Sequence, residues 1–367
     1  MQNPDNLPLV SLITVNYNGW DYLQILFDSL RQVTYPNIEI IMVDNASSDN
    51  SVALTRKRYP EIKIVQNRQN YMFARGNNEG IQKAAGDIIC LINNDVKVEP
   101  GFLDPVIAAF LQDPGLAAAQ PKVLDLSEPD RFEYAGAAGG YIDRYGYPFM
   151  RGRLFFSLEK DHGQYNEEVN IFWASGACFF IRKRVLDQIG LLDDAFVMHM
   201  EEIDLCWRMH LQGLQIRYIP GASVWHKGGG TLSAENPRKV YWNYRNNIFL
   251  LVKNLSFFNL CRVLSARLFM DAAAMAGELV RGKSRSSWAI LQAYGWVFKN
   301  FRMIVEHRQR NQSVRKVDDN RIFRLIYQGS IVWEYFIRGR KKFSELKYAA
   351  RLGQKDQKTQ EIKEYAL

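Results

Sequence analysis

The chain has 367 residues, of which 47% are apolar and 13% are Phe, Tyr or Trp, and its formal net charge is +8. This composition excludes a disordered chain and indicates a globular protein with a sizeable core, long enough for two domains. The four cysteines show no metal-ligand spacing, and the first residues form no basic, apolar leader. Both features predict free thiols in a reducing compartment and no secretion.

The charge is divided unevenly along the chain. Residues 1–239 contain 23 Lys and Arg against 29 Asp and Glu, a net charge of −6, whereas residues 240–367 carry +14. Such a split concerns binding partners more than fold. We therefore expect one domain over residues 1–240 and a basic, aromatic-rich helical region over residues 241–367.

The first 125 residues alternate between apolar strand patterns and helical patterns. The predicted strands cover 9–15, 38–43, 62–65, 88–92 and 117–123. The predicted helices cover 20–33 and 73–85, and another opens at Pro100. Ser47 or Ser48 is expected to cap the helix after the second strand. Repeated β-α units predict an α/β fold with a mostly parallel central sheet flanked by helices.

The middle of the chain is less regular. Residues 134–170 are rich in Gly, Tyr and Arg and are expected to loop over the sheet. After them, strands are predicted at 172–181 and at 214–224, the latter interrupted at Pro220, with helices at 184–189 and 203–212 between them.

From Tyr241 onward the pattern is helical. The most apolar stretch, 255–280, contains Arg262, Arg267, Asp271 and Glu278, too many charges for a span of ~20 apolar residues. It is either a helix lying in a membrane interface or one packed on the first domain with its Arg side chains in water. The net charge of +14 favours an anionic membrane surface.

Two predicted strands end in polar residues. Asn93, Asn94 and Asp95 follow the strand at 88–92, and Asp44 and Asn45 follow the strand at 38–43. Ligands of open α/β sheets bind at the carboxyl ends of the strands. A carboxylate placed there is a suitable ligand for a divalent cation. These strand ends predict a site for a nucleotide and its metal.

Several motifs occur in a characteristic order: TVNYNG at 14–19, VDNASSDNS at 43–51, the stretch 70–80, NND at 93–95, and EEIDLCWR at 201–208 with His226 beyond it. In this order the chain resembles family 2 glycosyltransferases of the GT-A fold, a group that includes bacterial rhamnosyltransferases. The resemblance implies an inverting transfer of sugar from a nucleotide diphosphate, dTDP-rhamnose or a UDP-hexose. The implied acceptor is a hydroxyl of a cell-surface glycan or lipid-linked saccharide.

The resemblance also implies how the donor is bound. Asp44 would accept the ring N–H of uracil or thymine, and Val15 and Tyr17 would line the base and ribose. Arg75 would bind the diphosphate with two nitrogen atoms at once, and Asn94 would contact the ribose or sugar. Two alternatives are left open. Asp44 could instead interact favourably with the dipole of the following helix, and Arg75 could be a solvent-exposed residue in the first turn of a helix with no ligand.

The implied metal ligands are Asp95 and His226, which suit Mg²⁺ or Mn²⁺. Asn93 stands where the family has the first acid of its Asp-x-Asp motif, so most of the charge interaction falls on Asp95. A lone His is usually structural. The segment 228–231 after His226 could fold over a diphosphate.

Glu202 is the implied catalytic base, with Glu201 able to share the role, because an inverting transfer needs one carboxylate opposite the leaving group. The simpler alternative is that both acids complement a helix dipole. Asp204 and Arg208, four residues apart, are expected to form an ion pair. Trp173 is assigned either to the donor site, as a platform for a sugar, or to core packing.

Three other functional classes compete with this interpretation. A Rossmann oxidoreductase would need G-x-G-x-x-G after the first strand, which this chain lacks. A nucleic-acid-binding protein is disfavoured because no such motif accompanies the basic tail. A catalytically inactive family member that binds nucleotide sugar or glycan stays open, because Met72 replaces an expected Gly, Asn93 an acid and Glu202 an Asp. The expected location is cytoplasmic, peripheral on the inner face of the cytoplasmic membrane.

Overall fold

A computed structural model describes residues 7–228 and 236–346. Thirteen strands lie within them: β1 (Val10–Asn16), β2 (Ile38–Asp44), β3 (Lys63–Gln66), β4 (Ile88–Ile92), β5 (Val96–Val98), β6 (Leu116–Asp125), β7 (Gly140–Ile142), β8 (Pro148–Met150), β9 (Arg153–Leu154), β10 (Ser157–Leu158), β11 (Val169–Asn170), β12 (Cys178–Arg182) and β13 (Gln215–His226).

Eleven α-helices occur in the same described ranges. They are α1 (Trp20–Leu30), α2 (Ser51–Arg58), α3 (Met72–Ile81), α4 (Leu103–Gln112), α5 (Lys183–Ile189), α6 (Glu201–Leu211), α7 (Pro237–Asn254), α8 (Phe257–Val280), α9 (Ser284–Lys299), α10 (Phe301–Ser313) and α11 (Asp319–Leu325).

The large sheet has the order β3-β2-β1-β4-β12-β6-β13-β11, and β5 pairs with the end of β13. Strand β1 is parallel to β2 and β4, and β6 is parallel to β13, while β12 runs antiparallel between β4 and β6. The predicted mostly parallel sheet is therefore confirmed. In the β1–β2 register Asn16 lies opposite Asp44, which brings two polar strand ends side by side.

The apolar strands are buried because helices cover both faces of the sheet. Neighbouring residues of β1 illustrate this, since Leu12 and Ile13 are both fully buried but belong to separate clusters on opposite faces. Helix α3 lies very close to β1. A Cβ added at Gly80 would come within 2.4 Å of Ile13 Cγ2. This close approach fixes the position of α3 along β1, and therefore the position of the start of α3 beside the ends of the strands.

The region predicted as a loop, 134–170, contains a second sheet of four short antiparallel strands, β7 to β10. The prediction missed them because strands of two or three residues are too short to show periodicity. Gly146 and Gly152, with φ of 84° and 90°, provide the left-handed turns between these strands.

Two local predictions were wrong. Neither Ser47 nor Ser48 caps α2, which begins at Ser51; the Asp49 carboxylate accepts the Ser51 N–H at 3.1 Å instead. Ser47 Oγ accepts the backbone N–H of Asn18 at 2.9 Å. This bond ties the loop after β2 to the loop after β1, and Ser48 N–H adds to it by donating to Asn18 Oδ1 at 2.7 Å.

The strand predicted from residue 172 begins only at Cys178.

The C-terminal helices pack on the α/β part of the chain. Lys253 of α7 is buried and donates to Asp204 of α6 at 2.8 Å. Arg267 and Asp271 of α8 form a buried ion pair at 3.1 Å, so Arg267 faces the protein and not water. Within the described ranges, no helix combines the length and apolar character needed to cross a bilayer.

Candidate functional site

The end of β2 carries a buried carboxylate that is only half satisfied. Asp44 Oδ2 accepts the Ser47 N–H at 3.2 Å, whereas Asp44 Oδ1 is buried and has no hydrogen-bond partner among the residues that the structure describes. Leaving a buried acceptor unpaired costs free energy. A ligand N–H would remove that cost. Val15 is half-buried nearby, against Gly76, and the Tyr17 side chain is 52% exposed.

Polar side chains join the loops after β1, β2 and β4. Asn94 donates to Asn16 Oδ1 at 3.0 Å, and Asn16 in turn donates to Ser47 Oγ at 3.2 Å. A Cβ at Gly19 would lie 2.5 Å from Asn94 Nδ2, so this approach needs glycine. Three motifs that are distant in sequence therefore meet at one edge of the sheet.

Arg75 lies in the first turn of α3 and is accessible. Its side chain is 48% exposed, and its guanidinium stacks 3.8 Å from the ring of Tyr71. Met72, the first residue of the helix, has φ of 59° although it is not glycine. That left-handed conformation costs about 1–2 kcal/mol. Asn45 holds it, donating to Met72 O at 3.0 Å.

Asp95 and His226, which the family resemblance assigns to one cation, are in direct contact. Asp95 Oδ1 lies 2.9 Å from His226 Nε2, because β5 pairs with the end of β13 and brings the two residues together. Asn93 Nδ2 lies 3.2 Å from the same ring nitrogen.

Glu133 is a third group at this place, and sequence reasoning missed it. Glu133 is buried, and its Oε2 lies 3.2 Å from His226 Nδ1, without the alignment of a hydrogen bond. The same oxygen accepts the N–H groups of Ala135 and Gly136 at 2.6 and 3.1 Å. The one hint was a lone acid directly before the uncharged run 134–142.

The carboxylates outweigh burial at the histidine. Burial alone would lower the pKa of His226, but contacts with Asp95 and Glu133 raise that pKa to about 10.

Asp95 and His226 fit a divalent cation. Their 2.9 Å separation is close to the spacing of about 3 Å expected for two ligands at right angles with bonds of about 2.1 Å. No group of three His, Cys, Asp or Glu residues suited to a metal is found in the described parts of the chain. Two protein ligands are enough for Mg²⁺ when substrate phosphates supply the others.

For a divalent cation bound at Asp95 and His226, we expect Glu133→Gln to weaken Mn²⁺ affinity about 10–100-fold, because a carboxylate that contacts the far nitrogen of a ligating histidine orients the ring and raises its basicity. Mn²⁺ titration in the presence of UDP, followed by calorimetry, measures the effect. Glu159→Gln is a matched control, since the Glu159 carboxylate accepts from Tyr165 and Phe343 rather than facing His226. An unchanged Mn²⁺ affinity in Glu133→Gln would contradict the role of Glu133 in orienting His226.

Glu201 and Glu202 open α6. Glu201 is buried, Glu202 is half-buried, and Oε2 of each is inaccessible and has no hydrogen-bond partner among the described residues. Burial and then the nearby Glu202 charge raise the pKa of Glu201 well above its ordinary range, while burial raises the pKa of Glu202 to about 7. Glu202 is therefore poised to take up a proton near neutral pH.

Three further predicted residues are placed by their contacts. Asp204 and Arg208 form the predicted ion pair at 2.9 Å. Trp173 is 3% exposed and donates from Nε1 to Tyr141 O at 2.9 Å, which favours core packing over a sugar platform. Of the predicted flap 228–231, Gly228 is described, and residues 229–231 lie outside the described ranges.

Comparison with known proteins places these residues in context. Residues 11–190 match the family model described as Glycosyl transferase family 2. The N-acetylglucosaminyl-diphospho-decaprenol L-rhamnosyltransferase of Mycobacterium tuberculosis is 27% identical in an alignment of 240 positions that covers 60% of this chain and 76% of that protein. The O-antigen biosynthesis protein RfbC of Myxococcus xanthus is 26% identical in an alignment of 243 positions that covers 64% of this chain and 18% of that protein.

Solved structures share the fold. GalNAc-T7 with UDP, GalNAc and Mn²⁺ aligns with a TM-score of 0.54 at 17% identity, covering 67% of this chain and 48% of that one. S. aureus TarS 1-349 in complex with UDP-GlcNAc aligns with a TM-score of 0.52 at 14% identity, covering 90% and 92%. The predicted GT-A fold is confirmed.

Proposed function

The chain belongs to glycosyl transferase family 2, and from that premise we propose an inverting, metal-dependent transfer of sugar from a nucleotide diphosphate to a hydroxyl of a glycan or lipid-linked saccharide. The observation that carries the proposal is the 2.9 Å contact between Asp95 and His226, two residues that are far apart in the sequence. Two buried oxygens without a partner among the described residues also support the proposal: one on Asp44, the predicted nucleobase contact, and one on Glu202, the predicted catalytic base.

Each residue has a role in the proposed reaction. Asp44 accepts the ring N–H of the base, and Arg75 binds the diphosphate. Asp95 and His226 would hold a divalent cation, which would supply positive charge to stabilise the leaving diphosphate. Glu202 takes the proton of the acceptor hydroxyl. At the same time the hydroxyl oxygen bonds to the anomeric carbon, and the bond from that carbon to the diphosphate breaks.

The residues that suggested an inactive protein do not favour that alternative. Met72 keeps the left-handed backbone for which glycine is usual. Asn93 lies within hydrogen-bonding distance of His226. Burial raises the pKa of Glu202 to about 7, a value suited to a base. The mycobacterial relative, named as an L-rhamnosyltransferase, supports rhamnose as the sugar of the donor, and the UDP-GlcNAc complex of TarS supports a UDP-hexose.

A thermal-shift screen of UDP, dTDP and GDP with their sugars, with and without Mn²⁺, tests the proposal. A uracil or thymine nucleotide should raise Tm more than GDP does. Asp44→Ala should weaken that binding about 10–100-fold, because a hydrogen bond to a charged group is lost. Asp87→Ala is the control, since Asp87 is exposed just before β4, at the end of that strand opposite to the carboxyl end where Asn93 lies. Equal responses of both variants, or no response to any nucleotide, would contradict the proposal.

The C-terminal helices present an apolar surface suited to a membrane. Helix α8 buries Leu260, Val263, Arg267 and Asp271 on one side. Its opposite side exposes mainly apolar residues: Phe257, Phe258, Leu268, Phe269, Ala272, Ala276, Leu279 and Val280. Helix α9 adds Trp288, Leu291 and Phe298. With the basic charge of residues 240–367, this surface would hold the enzyme on the inner face of an anionic membrane beside a lipid-linked acceptor.

Replacing Phe258, Phe269 and Phe298 together with Ser should reduce binding to vesicles that contain phosphatidylglycerol by at least tenfold, since each exposed Phe that enters the bilayer contributes about 1.5–3 kcal/mol. Co-sedimentation at low salt measures it, with pure phosphatidylcholine vesicles for comparison. Phe156→Ser is the control, because Phe156 is 66% exposed in the α/β part. If the unaltered protein does not bind anionic vesicles, the membrane assignment is wrong.

A further inference from the structure

The turn before α6 has an unfavourable backbone conformation. Val197, His199 and Met200 have φ of 65°, 69° and 70°, and none is glycine. Met200 directly precedes Glu201, and its carbonyl accepts the first helical hydrogen bond, from Asp204 N at 2.9 Å. The shape of this turn therefore decides where Glu201 and Glu202 begin. Such conformations persist only when surrounding groups hold them.

One side chain of α7 binds most of the turn. Asn246 is fully buried, and its Nδ2 donates to the carbonyls of Phe196, Met198 and His199 at 3.0, 2.7 and 2.7 Å. All three groups are acceptors, so a donor is required at this position. The amide of Asn supplies two N–H groups in a small volume, which a carboxylate cannot do.

Asn246 is itself held in place by its neighbour. Arg245 Nη1 donates to Asn246 Oδ1 at 2.6 Å and to Phe196 O at 3.0 Å. The guanidinium stacks 3.7 Å from the ring of Trp296 on α9. Arg245 is buried. Arg245 and Trp296 of the C-terminal helices therefore hold the Asn246 side chain in place, and Asn246 in turn holds the turn before α6.

From these contacts we infer that Asn246 is a positioning residue for Glu202, so that the helical C-terminal region completes the catalytic site. This inference rests on the proposed function, in which Glu202 is the base. A displacement of about 1 Å in a catalytic group can cost about 10²-fold in rate. Binding of the nucleotide sugar should be much less affected, because its predicted contacts lie at β1, β2, α3 and the end of β4.

The test is a double-mutant cycle on hydrolysis of the nucleotide sugar that raises Tm most in the screen above, with Mn²⁺ present and water as the acceptor whose proton Glu202 takes. Asn246→Ala should lower kcat about 10–100-fold and change KM for the donor by less than about threefold. In a Glu202→Gln background the same substitution should have little further effect on the residual rate. Asn246→Ser, which keeps one donor, is measured alongside and serves if the Ala variant does not fold.

Asn311→Ala is the matched control. Asn311 is a buried asparagine of α10 that donates to Asn254 and not to the carbonyls of the turn. Its replacement should lower Tm while leaving kcat close to that of the unaltered protein.

The outcomes separate the two hypotheses. If Glu202→Gln abolishes activity but Asn246→Ala and Asn246→Ser keep full kcat, only the inference is wrong. The same holds if Asn246→Ala lowers the rate equally in both backgrounds. If Glu202→Gln is fully active, the proposed base is wrong, and the inference falls with it.

Discussion

Glu202→Gln is expected to lower kcat at pH 8 by about 10²–10⁴-fold, the range for loss of a general base. The amide keeps the size of the side chain but cannot take up the proton of the attacking hydroxyl. Nucleotide release from the donor, measured with and without acceptor, gives the rate. Binding of UDP or dTDP with Mn²⁺ should be unchanged, because Glu202 contacts neither base nor diphosphate in the proposed reaction.

The pH dependence provides a second measurement. Burial raises the pKa of Glu202 to about 7, and only the ionised form acts as a base. We therefore expect kcat/KM of the unaltered enzyme to rise about tenfold per pH unit below about pH 7 and to level off above it. Glu202→Gln should lose this ascending limb.

Stability separates a catalytic effect from unfolding. The raised pKa means that the folded protein favours the protonated carboxyl, a stabilisation present below about pH 4.5 and lost as the pH rises through about 7. At pH 8 the unaltered protein carries the cost of a buried charge, and the Gln variant does not. Tm of Glu202→Gln at pH 8 should equal or exceed that of the unaltered protein. A variant with full activity, or one with a strongly lowered Tm, would contradict this account.

The parts of the fold that the sequence predicted have local and repeated signals. Strand β4 was predicted with its observed bounds because a wholly apolar run ends abruptly in Asn93. The contact between Asp95 and His226 was predicted by the family resemblance, since nothing local to either residue indicates the other.

What could not be predicted depends on long-range packing. Glu133 has no periodic or motif signal, and its contact with His226 exists only once β6 and β13 lie side by side. Asn246 lies in a helix whose pattern suggests only a surface module, yet it binds a turn formed almost fifty positions earlier. Trp173 was ambiguous because a buried indole and a sugar platform have the same sequence pattern.

Asp95→Asn is expected to abolish the Mn²⁺-dependent part of UDP binding and to lower kcat/KM by about 10³-fold. The reason is that Asp95 supplies the carboxylate charge of the proposed metal shell, and metal stabilisation of the leaving diphosphate is worth several kcal/mol. In this variant the side chains at positions 93 and 95 would both be neutral amides, so a cation would be held by His226 and the diphosphate alone. Calorimetric titration of UDP with and without Mn²⁺ measures the difference.

Uridine provides the internal control for Asp95→Asn, because it carries the base recognised by Asp44 but no phosphate. Its affinity should be unchanged in Asp95→Asn and reduced in Asp44→Ala, which separates the base site from the metal site. Glu99→Gln, at an exposed acid just beyond β5, should behave as the unaltered protein. UDP binding that is equally strong with and without Mn²⁺ in the unaltered protein would remove the metal from the mechanism, since the Asp95–His226 pair would then act only as a structural contact between β5 and β13.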